Sequence, residues 1–173
     1  MPEVMAVLAR RRVTLGFVAA ASAVWLSRPT VASWTAGWLV ACVGEAIRVW
    51  AAGHLEKSRE VTSSGPYRWV GHPLYLGSSI MTLGVVLASR SVVVALLAAA
   101  YMGATITAAV QQEEAFLRRT FGDDYARYQS GAPRRGVNRR FSVERALRNR
   151  EYRAVIGLLV GFALLALKAW PPI

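Results

Sequence analysis

One cysteine, Cys42, stands in 173 residues. An internal disulfide and a multi-cysteine metal site are thereby excluded. Histidine is nearly as scarce: His54 and His72 lie 18 residues apart, with no helical pairing and no zinc-ligand spacing around them. A Gly-rich phosphate loop and a G-x-S-x-G nucleophile elbow are both missing. Internal repeats and low-complexity linkers are missing too. Acidic side chains are few, 10 against 21 Lys+Arg, for a formal charge of +11. Charged residues reach only 18%, against ~25% in soluble domains.

What fills the space is apolar: 54% of the chain is hydrophobic, mean hydropathy is +0.32 and the pI is near 11.0. A soluble enzyme and a disordered tail both fit this poorly. A small all-α integral membrane protein with basic cytosolic loops fits it well, and no nucleic-acid partner is expected.

Apolar blocks cover residues 13–27, 31–53, 74–110 and 154–170. As one helix, 74–110 would extend ~55 Å, against a hydrocarbon core of ~30 Å. A turn at Ser89, Arg90 and Ser91 resolves the excess and makes five transmembrane helices. A helical extension then follows the fourth. Seventeen of the cations fall in the N-terminal segment, the 54–72 loop and the 111–153 segment, against three on the opposite side. The positive-inside rule places those three segments in the cytosol, as in a multi-pass protein of a bacterial inner membrane. Arg10, Arg11 and Arg12 before small apolar residues also fit a cleaved signal peptide, which would leave four spans. The whole chain, 1–173, reads as a single membrane domain. Its basic 139–153 run, with Phe141, Val143, Leu147 and Tyr152 interspersed, reads as an interfacial segment on anionic headgroups or as a solvated loop.

Three groups of residues look chemical. Glu45 and Arg48, three apart, share a face of the second span, where an unpaired charge is costly; a structural pair is the plain alternative. Residues 65–77, GPYRWVGHPLYLG, put a turn before Pro73, which suits a first helical position. His72 then sits at a helix N-terminus whose N–H groups favour an anionic or acceptor group. For Tyr67 and Trp69 alone, an interfacial aromatic belt explains as much. Residues 111–128 continue the fourth span as a helix expected to end at Gly122. Glu113 and Leu117 share one face, Glu114 has Arg118 as a partner four residues on, and a second helix carries Tyr125 and Tyr128.

At these positions the chain resembles the isoprenylcysteine carboxyl methyltransferase and phospholipid methyltransferase superfamily. That family carries G-P-Y-x-x-x-R-H-P-x-Y-x-G and, later, E-E-x-x-L-x-x-x-F-G-x-x-Y-x-x-Y followed by an Arg. The second run here is EEAFLRRTFGDDYARYQSGAPR, and the likeness spans roughly residues 37–135. One position departs from it, because Gly71 replaces the family's Arg, whose work falls to Arg68 or is not done. The resemblance implies S-adenosylmethionine as cofactor, bound at the cytosolic membrane face, and a lipophilic or prenylated acceptor. Residues 54–73 and 111–135 then hold the two cofactor motifs. His72, Pro73, Tyr75, Gly77, Glu113, Glu114, Leu117 and Tyr67 are implied cofactor contacts. Tyr128 and Arg134 fall on the methyl-transfer side, with Arg134 or Arg48 holding an anionic group of the acceptor. No metal is implied. Two alternatives stay open: an NADPH-dependent sterol-reductase-like enzyme, disfavoured by Leu74, Ser78 and the double Glu, and a non-catalytic scaffold relative.

Overall fold

A computed structural model describes residues 16–57, 60–130 and 139–170, and every regular element among them is helical. Helix α1 covers Gly16–Leu26. It is followed by α2 (Val31–Ala52), a 3-10 turn (Gly65–Arg68), α3 (Pro73–Ser89), α4 (Val92–Gln129), α5 (Val143–Arg148) and α6 (Tyr152–Ala169). Local chemistry sets the boundaries. Thr30 and Ser33 cap α2 reciprocally. Pro73 opens α3 with His72 as its N-cap. Arg90 takes a left-handed conformation (φ 49°) and Ser91 caps α4, which is the turn expected between the third and fourth apolar segments.

Among the described residues α4 and α6 are each long and apolar enough to cross a membrane. Helices α1 and α3 are apolar but shorter, and α2 carries Glu45 and Arg48 within its 22 residues. Length and composition therefore establish two candidate spans and leave the expected five unestablished. The part of α4 before Gly122, residues 92–121, extends ~45 Å at helical rise, so its charged part beyond Val110 reaches past a ~30 Å core. Non-helical torsions at Gly122 (φ 40°, ψ −110°) break the helix where the sequence predicts a stop, and a second helical stretch carrying Tyr125 and Tyr128 continues to Gln129.

The closest packing joins α2 to α3. Gly37, Ala41 and Gly44 on one helix face Gly77, Gly84 and Ala88 on the other. A Cβ on Gly84 would come within 2.5 Å of the Gly37 carbonyl oxygen, and one on Gly77 within 2.6 Å of the Gly44 carbonyl oxygen. Small residues let two backbones touch in this way. At the end away from the polar loops, Ala41 and Ala88 join Leu158, Phe162 and Leu165 of α6 in a core. Trp34 stacks on Trp38 there and donates from Nε1 to the Phe162 carbonyl at 2.8 Å. Lys168 Nζ donates to the carbonyls of Val24, Trp25 and Ser27, a cation at a helix C-terminus.

At the opposite end, residues 139–151 fold back as a strap over the end of α2. Arg139 pairs with Glu60 at 2.7 Å and Arg145 with Glu56 at 2.8 Å. Arg145 also donates to the Gly53 carbonyl, and Asn149 Nδ2 to those of Ala52 and Leu55. These side chains satisfy carbonyls that the helix end leaves open. The outer side of the strap exposes Val143 and Leu147. Replacing Gly84 by Val should force α2 and α3 apart, at a cost of about 1–3 kcal/mol. Thermal unfolding in detergent should show a clearly lowered Tm, and an unchanged Tm would refute the seam.

Candidate functional site

Where the strap, the 55–62 loop, the start of α3 and the polar half of α4 meet, they enclose a cavity of about 540 Å³. That is within the ~300–1,000 Å³ range of small-molecule sites. Both sequence motifs contribute to it, although the apolar hairpin of residues 78–110 separates them. From the first motif come Tyr67, His72, Pro73 and Tyr75; from the second come Glu113, Leu117, Tyr125 and Tyr128. Arg48 of α2 is also on the wall.

His72 links the two motifs. Its Nδ1 lies 3.6 Å from Glu113 Oε2 and its Nε2 lies 3.6 Å from Glu114 Oε1. Glu114 itself is not on the cavity wall and turns also to Arg118, at 3.7 Å. The facing Glu113 carboxylate raises the His72 pKa above its ordinary value, outweighing the opposing effect of burial. The imidazole in turn holds Glu113 below the usual carboxylate range, aided by a hydrogen bond from Tyr75. The Tyr75 ring lies 5.7 Å from His72, centroid to centroid.

The bend at Gly122 brings Tyr125 and Tyr128 back over the cavity, with their rings stacked at 6.1 Å. Tyr128 Oη donates to the Tyr67 carbonyl at 3.2 Å, tying α4 to the 3-10 turn. Burial pushes the Tyr67 phenol pKa upward, so it stays protonated. Gly71 opens onto the cavity, and a Cβ there would meet nothing nearer than Tyr128 Oη at 3.9 Å.

One expected contact sits elsewhere. Gly77 is not on the wall; it is in the α2–α3 seam, where a Cβ would lie 2.6 Å from Arg48 Cγ. Its lack of a side chain makes room for Arg48. Arg134 lies outside the described residues. Arg68 is also absent from the wall. Sequence reasoning missed Glu56, Glu60, Asn149 and Glu151, all of which line the cavity. For Glu151 there was a signal: an acid inside a run of arginines, directly before an apolar helix.

Polar side chains thus converge beside apolar, membrane-type helices on a cavity of small-molecule size. The chain belongs to the phospholipid methyltransferase family, whose profile matches residues 12–124. It is 31% identical over 107 residues to the nickel-cobalt-cadmium resistance protein NccN of Alcaligenes xylosoxydans xylosoxydans. That match takes in 60% of this chain and 49% of the relative, so the chain spans about half of that protein's length. No solved structure matches the chain significantly.

The His72 shift has a definite sign. A pKa raised on folding stabilises the pair fully below the free histidine value of ~6.5, and that contribution is lost as pH climbs through the raised value. Glu113, lowered on folding, limits the window on the acid side. A ¹H NMR titration, with His72→Ala identifying the resonance, should place the His72 midpoint above ~6.5. Glu113→Gln should move it down, and an unmoved midpoint would exclude the pairing. Gly71→Arg, which meets open space, should leave the Tm of the protein within a few degrees of wild type.

Proposed function

We propose that this chain is an integral-membrane, S-adenosylmethionine-dependent methyltransferase. Its acceptor is lipophilic, either an isoprenylcysteine-type carboxylate or a lipid headgroup, at the cytosolic face. The observation that carries the reading is the meeting of His72 and Glu113 on one cavity wall at the ends of apolar helices. Five spans with the N-terminus and the site in the cytosol are supported by the charge distribution and by α1, α2, α3, α4 and α6 at the expected positions, two of them long and apolar enough to cross a membrane. The exposed Val143 and Leu147, next to arginines, suit contact with anionic headgroups.

The residues present fit the proposed cofactor. Glu113 suits an ammonium or ribose hydroxyls, and Leu117 with Phe116 offers an apolar surface for a base. Backbone N–H groups at the start of α3, beside His72, favour a carboxylate. The faces of Tyr67, Tyr75, Tyr125 and Tyr128 suit a cationic sulfonium, at ~0.5–2 kcal/mol per contact. When bound, S-adenosylmethionine supplies a methyl group on a good sulfur leaving group. The work left to the protein is to align donor and acceptor, exclude water and keep the acceptor atom unprotonated. The tyrosines and the strap shut water from one side of the cavity, while lipid reaches it between helices. Arg48 is placed to receive an anionic group of the acceptor.

Binding of radiolabelled S-adenosylmethionine to purified protein tests the reading. Wild type should bind it in preference to NADPH, and His72→Ala and Glu113→Gln should each weaken binding roughly tenfold or more without loss of fold. A preference for NADPH would instead support a reductase, and binding of neither ligand a scaffold. Mass spectrometry of prenyl thioether carboxylates and membrane lipids after incubation would then identify the acceptor.

A further inference from the structure

The family match ends at residue 124, but the cavity wall continues into the strap with Asn149 and Glu151. Glu151 is buried and its Oε1 lies 2.7 Å from Arg48 Nε. Glu45 Oε2 lies 3.6 Å from the same nitrogen. Arg48 Nη1 reaches the Leu74 carbonyl at 3.5 Å and also Ser78 Oγ. A guanidinium is planar, with its five donors in a fixed fork, so holding Nε and Nη1 sets the direction of Nη2. Among the described residues Nη2 has no protein partner, and the side chain is one of those lining the cavity.

The two acids compete for one cation. Glu151 is on the cavity wall; Glu45 is not, and its buried carboxylate oxygens make no hydrogen bond. A buried carboxylate without hydrogen bonds attracts any donor within reach. Without Glu151, Arg48 has every reason to turn to Glu45, away from the cavity.

Resting on the methyltransferase reading above, we propose that Glu151 is a positioning residue. It holds Arg48 forward so that the guanidinium donates to an anionic oxygen of the acceptor, a carboxylate or a phosphate. The strap is then part of the acceptor site, beyond the stretches that the two motifs supply.

The test uses the full chain in lipid nanodiscs. A prenyl thioether carboxylate and its methyl ester form one pair of binding probes; phosphatidylethanolamine and uncharged diacylglycerol form the other. Labelled S-adenosylmethionine reports separately on the cofactor pocket. Wild type should prefer the carboxylate- or phosphate-bearing member of at least one pair by ~10–100-fold, and the pair that shows it identifies carboxylate or phosphate. Glu151→Gln should bring that ratio near unity while cofactor affinity stays within about twofold, and Glu151→Asp should restore most of it. An unchanged ratio in Glu151→Gln overturns the inference, as does the absence of any preference in wild type. Equal loss of every ligand also overturns it, because that marks a merely structural role. Wild type that binds no S-adenosylmethionine refutes the methyltransferase reading itself, and that result is visible before any variant is made.

Discussion

Two helices lie backbone against backbone along a row of glycines and alanines, and the rest of the structure is arranged around that contact. The close approach of α2 and α3 brings Arg48 under the first turns of α3. Because Gly77 has no side chain, the Arg48 stem passes where a Cβ would block it. The seam thus delivers a cation to the edge of the apolar region, where a lone charge is costly. Glu45, Glu151, Ser78 and the Leu74 carbonyl share that charge. Packing and electrostatics are one problem here, and the three elements that solve it also build the floor and one wall of the cavity.

The cavity's other wall follows from a conflict between helix length and membrane thickness. Helix α4 is too long to end at the bilayer surface, and its polar continuation carries Glu113 and Leu117 to the level of His72. The bend at Gly122 then returns the tyrosines over the opening. Glu113 and Glu114 share the imidazole between them. The arrangement puts acids, aromatic faces and a helix N-terminus within one small volume, which is the combination a cationic nucleoside with a carboxylate calls for.

Some of the chain carries two roles at once. The basic run after residue 138 has the composition of a surface segment, and Val143 and Leu147 are exposed, whereas Phe141 packs against Gly53 and His54. Its Arg139, Arg145 and Asn149, however, cap and bind the end of α2, and Glu151 reaches the site. Composition cannot separate these roles, because a cation attracted to lipid headgroups and one attracted to Glu56 look the same in a list of residues.

The sequence by itself determined the all-helical class, the helix positions, the turn at Arg90 and the two motifs. Each is a local matter of period, cap or turn chemistry, readable within a dozen residues. It also carried the Glu45–Arg48 and Glu114–Arg118 pairs, since helical spacing alone makes them neighbours. Only the tertiary structure decided that Gly77 serves the helix seam and is not a cavity residue, and that Glu151 meets Arg48 across 103 positions. Those outcomes depend on which distant backbones touch, and no local periodicity encodes that.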